Sequence, residues 1–315
     1  MASLLWNLRT NETVSPADLH VHSVFSDGLK TPPQLCAIAA RLGIRWIALC
    51  DHDTMNGLEA MAQAVDEENR ARGGQILTLI PSVEVSTGPG GRTHLLAYGA
   101  RPDHAQLRAF LGRVCADRGE RAAKMIRRLE EMGMRITPQM RALPAIPSVG
   151  RAHIARALVE AGEAGSVRQA FERYLAEGKP AYVPRKRLDT GETVAALSGM
   201  GLVTVLAHPM RLGLDEAALR ALILEWKARG LRGIEAYHPS ASHGDARMLD
   251  ALARAQGLLV TGGSDYHGDT DVRARMGRLP AGWLTAEEDV RALMSAVART
   301  RLKAADDLQK EQQDV

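Results

Sequence analysis

Through the first hundred residues, short apolar runs alternate with segments in which apolar residues recur every three or four positions. The runs at 17–22, 46–50, 76–85 and 94–98 predict strands, whereas Pro33 to Leu42 and Gly57 to Arg72 carry the helical period. Strand, helix and strand in that order predict the parallel pairing of an α/β sheet or barrel. The rhythm breaks after Ala100. From there to about Arg187 the pattern reads as helices alone, at Asp103 to Met132, Ser148 to Ala161 and Val167 to Glu177, with Pro, Gly and basic residues between them. Alternation then resumes: strand Val203 to Ala207, helix Asp215 to Arg229, strand Gly233 to Tyr237, helix Gly244 to Gln256, strand Leu258 to Gly262. A last helix, Ala286 to Thr300, leads into a charged segment, Lys303 to Val315, expected to fray. The reading is therefore one α/β unit in two parts, 17–100 and 188–300, a helical insertion at 101–187, and a tail at 301–315.

Composition narrows this picture only slightly. At 315 residues and 45% hydrophobic content the chain can bury one large core and a smaller inserted one. Its 40 basic and 37 acidic residues leave a net charge of +3, too little for an extended nucleic-acid track, so any anion recognition must be local. Cys36, Cys50 and Cys115 form no CxxC pattern, which points to a reducing cytoplasm and away from a structural zinc ribbon. No apolar stretch reaches spanning length, and Met1 to Pro16 lacks the pattern of a leader. No membrane association and no obligate protein partner are expected.

Chemistry gathers where the predicted strands end. The first closes in Asp18-Leu19-His20-Val21-His22, and strand alternation puts His20 and His22 on one face. Asp27 follows in a short loop; the second strand ends in Asp51-His52-Asp53-Thr54, the third near Glu84, and His94 begins the fourth. Beyond the insertion, strands end in His208-Pro209 and in Asp265-Tyr266-His267. Six of the ten histidines (20, 22, 52, 94, 208 and 267) lie in this set. Strand ends converge at the mouth of a parallel barrel, so residues far apart in sequence would meet there. Imidazole and carboxylate donors without thiolate suit zinc, manganese or iron. Nine candidate ligands exceed what one ion can use, so two or three divalent ions (Mn2+, Zn2+ or Fe2+) are expected, with Glu84 able to bridge. Such a cluster can clamp a phosphoryl oxygen, generate hydroxide from a bound water and stabilise a leaving oxygen, which together suit phosphate-ester hydrolysis.

Taken in order, His20-x-His22 with Ser23 and Ser26-Asp27-Gly28, Asp51-His52-Asp53-Thr54, Glu84, His94, His208-Pro209 and Asp265-x-His267 resemble the PHP (polymerase and histidinol phosphatase) superfamily, from Ala17 to about Gly268. Within it the chain is similar to stand-alone bacterial phosphoesterases of the TrpH/YciV type, which include 3',5'-nucleoside bisphosphate phosphatases and a 5'-to-3' trimming exoribonuclease. The segments Gly150 to Ala155 and Gly178 to Pro184 are similar to that branch's inserted domain. The resemblance implies a distorted (β/α)7 barrel with a helical insertion over its mouth. It also implies a partition of ligands: His20, His22, Glu84 and Asp265 on one ion, Asp27, His52 and His267 on a second, and Glu84, His94 and His208 on a third. Asp27, His52, Glu84, His208 and His267 are the expected catalytic members. One of Asp51 and Asp53 is expected to orient His52 from behind.

For the substrate, expected to be a nucleotide carrying two phosphates or a short RNA end, Arg151, Lys179 and Arg185 are candidate phosphate ligands, and a solvated basic face is the competing reading for each. His153 and His238 are further candidates that packing could equally explain, as it could Tyr237 and His243; His104 is assigned to the surface. Two other functions fit the motifs: a histidinol-phosphate phosphatase, and a non-catalytic nucleotide-binding or nucleic-acid-binding module.

Overall fold

A computed structural model describes residues 13–186, 188–268, 275–279 and 282–313. The expected boundary at Arg187 and most of the Met1 to Pro16 segment lie outside these residues.

Strand β1 (Ala17–Val21), helix α1 (Pro32–Leu42) and strand β2 (Trp46–Leu49) form the first βαβ unit, with β1 parallel to β2. Thr31 opens α1, its N–H donating to Gln34 Oε1 at 2.9 Å, and Gly43 closes it in the left-handed region. Helix α2 (Leu58–Ala71) leads to β3 (Thr78–Leu79), parallel to β2. The single strand expected over 76–85 is two. Pro81 has no N–H to continue a ladder, and at that point the chain leaves β3 for a second sheet as β4 (Ser82–Thr87).

The parallel rhythm also fails here. Strand β5 (Thr93–Tyr98) folds back antiparallel on β4, with Ser86 opposite His94, through a turn in which Gly88, Gly90 and Gly91 all have positive φ. The reversal has a functional consequence: it brings the start of β5, and so His94, to the end of the sheet where the neighbouring strands finish.

Helices α3 (Ala105–Glu131), α4 (Pro138–Ala142), α5 (Arg151–Glu160) and α6 (Val167–Ala170) follow, α6 running into a wide turn at Phe171–Leu175. They enclose their own apolar cluster, which includes Met125, Leu129, Met140, Ile154, Leu158 and Leu175. His104, expected at the surface, is half-buried: its Nδ1 accepts from Leu107 N at the start of α3 and its Nε2 meets Met200 O at 2.9 Å.

The chain returns through α7 (Thr190–Gly199), β6 (Val203–Leu206), α8 (Glu216–Ala228), β7 (Gly233–Tyr237), α9 (His243–Ala255) and β8 (Leu259–Gly262). It closes with α10 (Glu287–Gln313), which carries helix through most of the segment expected to fray. β6 is antiparallel to β5, and β6, β7 and β8 are mutually parallel. Two sheets result, ordered β1-β2-β3 and β4-β5-β6-β7-β8. Backbone hydrogen bonds join them at two seams. On one side Asp265 N donates to His20 O and His22 N to Tyr266 O, each at 2.9 Å; on the other Asp53 N donates to Glu84 O at 2.8 Å. Both seams run through candidate ligands. The fold is α/β, and among the described residues its eight strands stand in two seamed sheets rather than one continuous ladder. No helix among the described residues is long and apolar enough to cross a membrane.

Candidate metal centre

Glu84 projects from the middle of β4 into a ring of imidazoles. Its Oε2 lies 3.4 Å from His20 Nε2, 3.3 Å from His22 Nε2 and 2.8 Å from His52 Nδ1. Its Oε1 lies 2.7 Å from His94 Nδ1 and 3.0 Å from His208 Nε2. Asp265 Oδ1 faces His22 Nε2 at 3.2 Å and His20 Nε2 at 3.5 Å, while Asp27 Oδ1 faces His267 Nε2 at 3.1 Å and His52 Nε2 at 3.8 Å. All nine sequence candidates therefore meet in one place. Three groups have donor atoms within 4.8 Å of one another: His20, His22, Glu84 and Asp265; His22, Asp27, His52 and His267; and His52, Glu84 and His94. This differs from the expected partition in that His22 also faces the second group and His52 the third, with His208 beside the third at 3.2 Å from His94.

Electrostatics explains why such a cluster is costly without cations. Burial by itself would raise the Glu84 carboxyl, but His94, His52 and His20 outweigh it and hold it well below the usual carboxylate range. Asp265 and Asp27 are held down against burial in the same way, by His20 and His267 and by His52 and His267 respectively. Burial would lower His22, yet Asp265 and Glu84 push it up to about 10. His208 goes the other way, lowered by burial to about 4. Without metal, protons on imidazoles supply the positive charge that these carboxylates require. Five buried donor atoms of this cluster still lack a hydrogen bond: His20 Nε2, His22 Nε2, His52 Nδ1, Asp27 Oδ1 and Glu84 Oε2. Nitrogen and oxygen atoms that are buried, unpaired and mutually facing fit divalent cations, which would displace the protons.

Neighbouring groups aim these ligands. His20 Nδ1 meets Glu235 Oε1 at 2.9 Å, leaving Nε2 for a metal, and Glu235 Oε2 also accepts from His208 N at 2.7 Å. His94 Nε2 reaches Gly91 O at 3.0 Å and His267 Nδ1 reaches Asp265 O at 2.8 Å, which turns their other nitrogens inward. Asp18 binds Ser264 through N and Oγ and Gly277 N, fixing the chain just before Asp265. Neither Asp51 nor Asp53 directs its hydrogen bonds to His52, contrary to expectation. Asp51 accepts from Ser23 N, Ser23 Oγ and Ser26 Oγ, shaping the loop that carries Asp27. Asp53 accepts from Ser86 N, Arg118 Nε and Arg185 Nη2 at 2.7–2.9 Å.

The substrate candidates are spread more widely. Arg185 is nearly buried against Asp53; Arg151 lies over the rings of Phe171 and Tyr182 at 5.6 and 5.8 Å; Lys179 is exposed. His153 accepts from Gly150 N at Nδ1 (3.1 Å), so Nε2 carries the proton and donates to Ser26 O at 2.8 Å. Both its nitrogens are engaged within the chain. His238 is buried, with Nδ1 on Ser240 Oγ at 2.8 Å and Nε2 at 3.4 Å from Asp265 Oδ2. Sequence reasoning missed Glu235, Arg118 and the half-exposed Arg211, whose Nη1 sits 2.9 Å from Asp265 Oδ2.

Six imidazoles and three carboxylates with buried atoms that call for a cation place the protein among metal-dependent hydrolases. The PHP domain family matches residues 18–136. A 5'-3' exoribonuclease of Haemophilus influenzae is 32% identical over 268 residues, 85% of this chain and 91% of that one. A 3',5'-nucleoside bisphosphate phosphatase of Chromobacterium violaceum is 35% identical over 253 residues, 79% of this chain and 86% of that one. The solved structure of a candidate metal-dependent phosphoesterase from Bifidobacterium adolescentis superposes with a TM-score of 0.75 at 31% identity, covering 89% of this chain and 96% of that one. The chain belongs to the PHP family and is a metal-dependent hydrolase of phosphoester bonds.

Proposed function

We propose that the chain removes a terminal phosphate from a small nucleotide of the 3',5'-nucleoside bisphosphate type or from a short RNA 5' end. The reaction centre is the mouth of a distorted (β/α)7 barrel, and the 101–187 insertion recognises the substrate. The observation that carries this reading is the set of nine donors around Glu84. Bound there, two or three divalent ions would polarise the phosphoryl group, lower the pKa of water and stabilise the leaving oxygen.

The chain's own residues set the direction of approach. The side chains of His20, His22 and Glu84 have no exposure, whereas Asp27, His52 and His267 are 20%, 14% and 28% exposed. A phosphate ester therefore enters on the Asp27, His52 and His267 side, beneath the helical segment. Arg211 stands at the same centre against Asp265, with about half its side chain exposed, which leaves it accessible to phosphate oxygens. Of the three basic candidates, Arg185 is paired with Asp53, and Arg151 and Lys179 remain for a second phosphate. The close match to a nucleoside bisphosphate phosphatase and to an exoribonuclease supports nucleotides over histidinol phosphate. The complete donor set speaks against a binding module that has lost its chemistry.

Phosphate release by Mn2+-loaded protein tests this. Adenosine 3',5'-bisphosphate or 5'-phosphorylated short RNA should be hydrolysed in preference to histidinol phosphate, and His208→Ala should lose turnover. No release from any nucleotide or RNA substrate would sink the substrate reading; a wild-type rate in the variant would sink the assigned centre.

A further inference from the structure

The two main groups of donors rest on different parts of the molecule. His20 and Asp265 are held from within the sheets, by Glu235 and by the seam bond from Asp265 N to His20 O. Asp27 and His52 lie on two loops, and the helical segment grips both loops by their backbone carbonyls. The buried Ser148 Oγ donates to His52 O, Arg156 Nη2 donates to Asp27 O, and His153 Nε2 donates to Ser26 O at 2.8 Å. Two further ties land one residue on, where Cys115 Sγ donates to Asp53 O at 3.3 Å and Arg118 Nε to the Asp53 carboxylate. None of these donors is offered to a ligand atom; all but the Arg118 tie hold backbone carbonyls of the loops from which the ligands project.

We propose that the helical segment is the support of one metal site, that of His22, Asp27, His52 and His267, with Ser148, His153 and Arg156 as its positioning residues. The physical reason is geometric. A loop carboxylate and a loop imidazole coordinate one ion only if both loops are fixed to within a few tenths of an ångström, and here a set of ties from across the domain adds to the bonds that the loops make with Asp51 and Glu84. The group of His20, His22, Glu84 and Asp265 needs no such help. The centre thus holds two classes of ion, one secured by the sheets and one by the helical segment, and whatever displaces that segment releases the second class first. This rests on the metal centre described above and is independent of the substrate's identity.

The test is Mn2+ binding to the full-length metal-free chain, read by equilibrium dialysis with elemental analysis. In Ser148→Ala/Arg156→Met one class of ions should lose affinity by roughly ten- to hundred-fold, while the other binds as in the wild type. Arg156→Lys should recover part of the loss. Arg135→Met, which cuts a tie between Arg135 Nη2 and Ala161 O inside the helical segment, should leave both classes unchanged. Should the double variant fail to fold, each single variant carries the same expectation at smaller size. Isotherms identical to wild type, equal weakening of both classes, or the same loss in Arg135→Met would overturn the proposal. A wild-type chain that binds no Mn2+ would overturn the metal centre itself and the proposal with it.

Discussion

Glu235 holds two donors with one carboxylate: Oε1 takes the His20 ring and Oε2 takes the backbone N–H of His208, itself at φ +30°. A glutamine there has one acceptor for two donors and turns its NH2 against one of them. Glu235→Gln should therefore weaken Mn2+ binding by roughly ten- to hundred-fold, as loss of a ligand's supporting partner does elsewhere. Dialysis against Mn2+ measures it, and wild-type affinity would count against the role. His208, Asp53 and Asp265 are the non-glycine residues with positive φ among those described, and all three border the centre, where backbone strain is tolerated because the surroundings dictate it. The nine donors themselves were legible because histidine and acid recur at the ends of apolar runs. Glu235 was not, since it lies inside such a run, Gly233 to Tyr237, where one acid looks like an interruption. Arg118 was hidden for the opposite reason, as one arginine among many on a long helix whose partner, Asp53, is 65 residues away.

Elements bring these residues within reach by close backbone approach, and Gly263 at the end of β8 is the tightest such point. A Cβ there would stand 2.2 Å from His20 Cβ and 2.7 Å from His20 N, and backbone cannot swing aside as a side-chain tip can. Gly263→Ala should cost about 1–3 kcal/mol and weaken metal binding by shifting His20. Thermal melting with Mn2+ dialysis reads both effects; an unchanged midpoint would refute the crowding argument. Helix positions were readable from the apolar period, as at α1, because that signal is local. The split between β3 and β4 was present in the sequence as Pro81, but the mainly apolar stretch from Ile76 to Val85 concealed it. The reversal of β5 follows from a glycine-rich turn, Gly88 to Gly91, that periodicity alone does not weigh.

At the scale of the molecule, the helical segment has its own apolar cluster and communicates with the sheets through a polar seam centred on Asp53. The sequence pattern marked helices here but could not show this attachment, which depends on one carboxylate meeting arginines from two distant stretches. Burial would raise the Asp53 carboxyl, but Arg118 and Arg185 outweigh it and hold it far below the ordinary range. Removing the charge leaves two nearly buried guanidinium groups without a counter-ion, so Asp53→Asn should destabilise docking of the segment at neutral pH by about 3–5 kcal/mol. The sign of the pH dependence follows from the depressed value. A carboxyl held low in the folded state contributes its full stabilisation above the unfolded value of about 3.9 and loses it as pH falls towards the folded value. The gap between wild type and Asp53→Asn should thus be constant from neutral pH to about pH 5 and narrow below about pH 3.9, by about 1.4 kcal/mol per pH unit, because protonated Asp53 resembles the amide. Hydrogen exchange of α5, corrected for intrinsic rates, measures the gap. A gap that persists undiminished at pH 3 would mean that the charge of Asp53 does not hold the two parts together.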